Sequence, residues 1–243
     1  MPRYFMRDTP LRAMERLMMS QPGHKPRGGM YRSQFYYTPK DVECEYCQNY
    51  ARKNPCLLCE CTCLEARIEA GVLNLSEFVR DFFAPCVEPQ LQMRMRQQFR
   101  EEKSQFFLSD SHRRRWTHCR GLCWCLSDRN KAALFLLTAY ESLWRRMIWK
   151  CSNDGFDFQA VHLSGIKPEL YSVYQAAKAI AVGSSNIALA DLASPDLVTD
   201  EAFQLIICSL LMAKYGDVVL NLENGAVEEV NGYGTTRRAR FMD

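Results

Sequence analysis

Histidine occurs only four times in the chain, at positions 24, 112, 118 and 162, and no local signature joins any of them to a nucleophile. A phosphate-cradling glycine loop and a dinucleotide-binding fingerprint are both absent, which removes the common nucleotide-dependent enzymes. The strongest apolar stretches, AALFLLTAY and LIICSLLMA, are far too short to span a bilayer. The first residues place arginine at 3, 7, 12 and 16 ahead of any apolar run, unlike an export signal. These absences predict a soluble, cytoplasmic protein that does not act on a membrane. Cysteine, too, is nearly missing from the second half, where only Cys151 and Cys208 follow residue 125.

What is present is the opposite of dispersed. Ten of the twelve cysteines lie between residues 44 and 125. One group reads Cys44-x2-Cys47, then Cys56-x2-Cys59-x-Cys61-x-Cys63; the other reads His118-Cys119-x3-Cys123-x-Cys125. Without an export signal, metal binding is a better account than a disulfide framework. Cys44, Cys47, Cys56 and Cys59 form two knuckles that suit a four-thiolate zinc site. Cys61 or Cys63 is expected to join His118, Cys119, Cys123 and Cys125 around a second zinc. An iron–sulfur cluster is the alternative, although the spacing matches neither standard ferredoxin run. Cys86, Cys151 and Cys208 read as buried, hydrophobe-like residues.

Charge divides the chain at much the same place. Residues 1–150 hold 25 Lys and Arg against 16 Asp and Glu, a balance of +9; residues 151–243 hold 6 against 12, a balance of −6. The expected organisation is an N-terminal helix and basic, aromatic linker over 1–40, and a cysteine-rich zinc region with helices over 41–126. A helical domain ending in a β-hairpin then fills 127–235, and a basic tail closes the chain over 236–243. The fold class is therefore mainly α, with a zinc-stabilised N-terminal region and a C-terminal β-hairpin.

Capping patterns predict the helices. Thr9-Pro10 opens one through about Met19, and the segment LEARIEA continues until Gly71. Asn74 with Glu77 caps SEFVRDFFA. Pro89 opens a helix to about Leu108, with Leu91, Met95 and Phe99 on one face and Arg94, Arg96, Arg100 and Lys103 around the rest. Ser127-Asp128 caps NKAALFLLTAYESLWRRMIW, whose near-continuous hydrophobicity places it at the centre of a core. Pro168 and Gly183 bound a helix with Tyr171, Tyr174, Ala177 and Ala181 on one face, and Thr199 and Gly216 bound another. The period then changes to two: VVLNLE and AVEEV flank Asn224-Gly225, a hairpin signal. His112 reads as a capping or core-edge residue, His162 as a residue at the edge of the core, and Asp154 and Asp157 as parts of a turn between helices.

The segments FFLSDSHRRRW, ALFLLTAYESLW, GFDFQAVHLSGIKPELYSVYQAAKAIAVG and LADLASPDLVTDEAFQLIICSLLMAKYG resemble an uncharacterised helical family of Firmicute phages and integrative mobile elements, over roughly residues 106–216. The shared features are a His followed by an aromatic at the start and a helix ending in Tyr-Gly. The resemblance implies a setting, an accessory protein of a mobile element, and transfers no catalytic residue. The cysteine-rich segment and the Asn-Gly sequence depart from it.

The basic runs carry the remaining functional signal. Arg113, Arg114, Arg115, Arg145 and Arg146, with Arg94, Arg96 and Arg100, are expected to form an electrostatic footprint for nucleic acid or for a partner. Zinc knuckles, exposed aromatics and an open hairpin edge suit a protein partner equally well. The sequence therefore predicts a non-enzymatic zinc protein with one or two ions that engages nucleic acid or a host nucleoprotein complex as an inhibitor or adaptor. A metal- or Fe–S-dependent enzyme that uses the cysteine clusters is the alternative.

Overall fold

The computed structural model describes residues 12–19, 37–47, 56–84, 88–100, 105–122, 126–152, 155–184 and 187–224. The protein is mainly helical, with one small antiparallel sheet. In chain order the helices are α1 (Arg12–Met19), α2 (Leu64–Glu69), α3 (Leu75–Phe82), α4 (Pro89–Gln98), α5 (Asp110–Leu122), α6 (Asp128–Ala139), α7 (Glu141–Met147), α8 (Pro168–Val182), α9 (Leu189–Ala193) and α10 (Asp200–Tyr215). The sheet pairs β1 (Cys151–Ser152) with β2 (Gly155–Phe156).

Local chemistry sets several helix boundaries. The Asn74 side chain accepts the Glu77 N–H at 2.7 Å, that of Ser127 accepts from Asn130 at 3.2 Å, and that of Thr199 accepts from Ala202 at 3.3 Å. Each satisfies one of the four orphan donors of a first turn. Pro89 and Pro168 stand at helix starts, where a missing N–H costs nothing. Gly183 ends α8 in the left-handed region at φ 76°.

α6 is the hub. Every residue from Lys131 to Ala139 is buried, and the helix packs against α5, α8 and α10. Phe135, Leu136 and Leu137 are fully enclosed, each contributing roughly 1.5–3 kcal/mol by leaving water. Lys131 is buried among them only because its ammonium meets Asp128 at 2.8 Å and Asp217 at 3.6 Å.

The core is single. One contiguous set of buried side chains runs from Leu64 through Leu222, so the expected boundary between residues 126 and 127 falls inside one core. Side-chain ties cross it at many points, among them Arg94 to the Leu192 and Val198 carbonyls, His112 to the Phe135 carbonyl, Gln204 to the Gln98 carbonyl and Asn221 to the Glu69 carbonyl.

Other expectations need correction. The C-terminal hairpin is not formed as predicted: Gly216–Asn224, including VVLNLE, continues from α10 as a 3-10 helix, while its second arm lies outside the described residues. Val219 and Leu222, three residues apart, are the buried pair, which is a 3-10 spacing and not a strand spacing. The long helix expected from 127 breaks at Tyr140, whose backbone is extended, giving α6 and α7. The helix opened by Pro89 stops at Gln98, not near Leu108. Tyr171, expected on the packed face of α8, is 47% exposed. The segment around Asp157 is a short strand pair, and His162 is exposed. Asp200–Leu222 as a whole is long and apolar enough to cross a membrane; 56% of its most apolar window is buried, and a core helix meets the same criterion.

Candidate metal centre and basic surface

The first cysteine pair sits on a turn built for it. Cys44–Tyr46 is a 3-10 turn closed by the Cys47 N–H on the Cys44 carbonyl at 3.0 Å. Cys47 follows as the C-cap with extended backbone, so the two thiols flank one tight turn. The second pair is offset from its turn. Cys56 precedes Leu58–Glu60, Cys59 lies within it, and the Cys61 N–H closes it on the Leu58 carbonyl at 3.2 Å. A further turn, Leu64 N–H to the Cys61 carbonyl at 3.3 Å, leads through Cys63 into α2.

Folding brings Cys63 near Cys47 and Cys61 without closing them into a metal-binding group. Burial pushes the Cys63 thiol up, the Thr62 hydroxyl opposes that, and the neighbouring Cys47 and Cys61 sulfurs push it further up. Cys44, Cys56, Cys59 and Cys63 are exposed, whereas Cys47 and Cys61 are half-buried. Tyr215, at the end of α10, is pushed up to about 12 by burial, by Glu65 and by Cys59, so the segment lies against the C-terminal part of the core. Among the described residues, no three His, Cys, Asp or Glu side chains stand together in an arrangement that would hold a metal.

The second group behaves differently. Cys119 is buried in the core on the inner face of α5, and His118 is exposed on its outer face. Consecutive helical residues point about 100° apart, so these two do not converge on one ion. Cys123, Cys125, Cys86 and Lys103 lie outside the described residues, as does His24. Cys208 is fully buried, as expected of a hydrophobe-like cysteine, and Cys151 is half-buried.

The predicted basic footprint divides into two kinds of arginine. Arg94 is 4% exposed: its guanidinium donates to the Leu192 carbonyl at 2.7 Å, to the Val198 carbonyl and to Asp200 at 3.0 Å, and it stacks on Phe203 at 4.5 Å. It holds α4 to the α9–α10 connection and does not reach a ligand. Arg115 donates to the Thr138 and Ala139 carbonyls at 2.8 and 2.9 Å, capping α6 where the chain breaks. Arg146 donates to the His162 and Ser164 carbonyls, tying α7 to the following loop, and Arg145 pairs with Glu141 on the exposed face of α7.

Arg96, Arg100, Arg113 and Arg114 remain at the exposed surface. Arg113 also lies over the Phe107 ring at 4.6 Å. On α5, residues 112, 116 and 119 face the core, while Arg113, Arg114, Thr117 and His118 face solvent. His112 is no cap. It is wholly enclosed, with Nε2 on the Phe135 carbonyl at 2.8 Å and Nδ1 accepting the Leu108 N–H at 3.2 Å. Burial, opposed by the Phe135 carbonyl and reinforced by Arg115 and Arg113, pushes its pKa down to about 4.

Sequence reasoning passed over a charge cluster joining α5, α6 and the C-terminal 3-10 helix. Arg120 and Lys131 both meet Asp217, and Lys131 also meets Asp128. Only the pairing of Lys131 with Asp128, three residues apart on one helix, was visible beforehand. Comparison of the chain with protein-family models, with curated proteins and with solved structures yields no match.

Proposed function

We propose that the protein works by binding, as a zinc-holding accessory protein of a bacterial mobile element or phage, and that it engages nucleic acid, alone or within a host nucleoprotein complex. The observation that supports this most is the two-faced build of α5. His112, Trp116 and Cys119 anchor it in the core, while Arg113 and Arg114 stand on its outer face. A rigid helix carrying adjacent guanidinium groups to solvent suits phosphate contact, which positions a protein without reading bases. The zinc reading is supported by the paired spacing of Cys44 with Cys47 and of Cys56 with Cys59 and by the tight turn that closes at Cys44–Cys47.

The test is a pair of charge reversals, Arg113→Glu with Arg114→Glu, leaving the α6-capping Arg115 untouched. Binding to single- and double-stranded oligonucleotides of unrelated sequence should weaken alike, and the salt slope should fall by roughly one unit per lost contact. Trp116 on the same helix reports binding by fluorescence. Unchanged fluorescence and mobility of the native protein over a full titration would reject the nucleic-acid reading. Elemental analysis of the same preparation addresses the metal: zinc without colour supports the proposal, and a brown protein with iron favours the cluster-dependent alternative.

A further inference from the structure

A groove of about 500 Å3 lies between α8, α9 and α10, on helices other than the basic face of α5. Its walls are apolar and partly small: Ala176, Ala179 and Ile180 from α8, Leu192 from α9, Ile206 and Leu210 from α10. Leu210 is 38% exposed and Leu189, on the rim, 59% exposed, so apolar surface already faces solvent there. The volume is that of a small-molecule site, within the usual range of roughly 300–1,000 Å3.

Two cations from distant parts of the chain also line it. Arg129, in the first turn of α6, lies so close to the end of α8 that a Cβ on Gly183 would stand 2.9 Å from its Nη1. Lys214, near the end of α10, rests its ammonium 4.7 Å above the Phe82 ring. No acidic residue lines the groove, and among the described residues neither cation is paired with a carboxylate. A largely apolar trough lined also by two positive charges without a countercharge complements an apolar body with an anionic end.

We propose that the groove between α8, α9 and α10 binds a single-chain anionic amphiphile, with its hydrocarbon along Ala179, Ile180 and Leu210 and its carboxylate at Arg129 and Lys214. The proposal does not depend on nucleic-acid binding, because none of these residues lies on α5. Charged hydrogen bonds of roughly 1.5–3 kcal/mol correspond to about ten- to a hundredfold in affinity.

The test is calorimetric titration of the full chain with dodecanoate below its micellar concentration, and with uncharged dodecanol in a displacement assay. One saturable site should appear for dodecanoate, with dodecanol at least tenfold weaker. Arg129→Gln with Lys214→Gln should weaken dodecanoate at least tenfold while leaving dodecanol unchanged. Ala179→Trp should abolish binding of both, with thermal melting confirming that each variant is folded. Absence of a saturable site, or binding indifferent to Ala179→Trp, overturns the site. Binding blocked by Ala179→Trp but indifferent to the charge variants overturns the anionic class. Capture of an acidic amphipathic peptide where dodecanoate fails overturns the small-molecule reading.

Discussion

Lowering the pH from 7 to 5 should destabilise the protein through a single side chain, His112. Its Nδ1 accepts the Leu108 N–H, so a proton added there would put two donors face to face, inside a cage formed with Phe107 and Phe135. The folded state therefore holds the ring neutral down to about pH 4, against an ordinary value of 6.5. In the unfolded chain the ring takes up its proton as the pH drops below 6.5, so the unfolded state binds more protons between 6.5 and 4. Stability is full above that window and is lost as the pH falls through it. At 1.36 kcal/mol per unit, the loss is roughly 2 kcal/mol by pH 5 and approaches about 3 kcal/mol below pH 4. Urea unfolding at half-unit steps, in the native protein and in His112→Asn, measures it. The variant should be less stable at pH 7, because its partners lose their bonds, and the gap should narrow steadily towards pH 5. A gap that stays constant with pH would refute the reasoning, because carboxylates titrating elsewhere act equally on both proteins.

Arg94→Met should cost roughly 2–5 kcal/mol in urea unfolding, since it strips partners from two carbonyls at a buried site, the half-exposed Asp200 adding little; Arg94→Lys should recover only part, having no planar fork to span them. A stability loss below about 1 kcal/mol would show that α4 does not depend on this tie. A fragment covering 127–224 should fail to unfold cooperatively, because it exposes the face of α6 that packs on α5; a sharp calorimetric transition from that fragment would count against the single core.

Many helix ends were legible from a side chain, proline or glycine: Asn74, Pro89, Ser127, Pro168, Gly183, Thr199 and Gly216 all stand where the sequence puts them, while Thr9 and Pro10 lie outside the described residues. The hairpin misled because VVLNLE satisfies two periods, and tertiary packing of Val219 and Leu222 chose the 3-10 one. The break at Tyr140 depends on Arg115, distant in sequence, taking up the last carbonyls of α6, which no local pattern announces. Arg94 was misread by its charge although its position was informative: it falls between Leu91 and Met95, the stripe already assigned to the core. Of the candidate metal ligands, the Cys44–Cys47 turn was readable from spacing alone. The inward turn of Cys119 needed the helical face of α5, which places it in register with His112 and Trp116.

The bond from Asn221 to the Glu69 carbonyl, 152 residues away, sets an order of events as the chain is made. α2 follows directly on Cys63, so the cysteine turns leave the ribosome early, yet the 3-10 helix that packs on α2 is nearly the last described piece to emerge. Such distant partners make closure slow, because the loop must be shut before the contact repays it. During synthesis the thiols therefore wait beside an unfinished core. That interval, longer than the local turns themselves need to form, is when a soft metal ion or a chaperone would meet them.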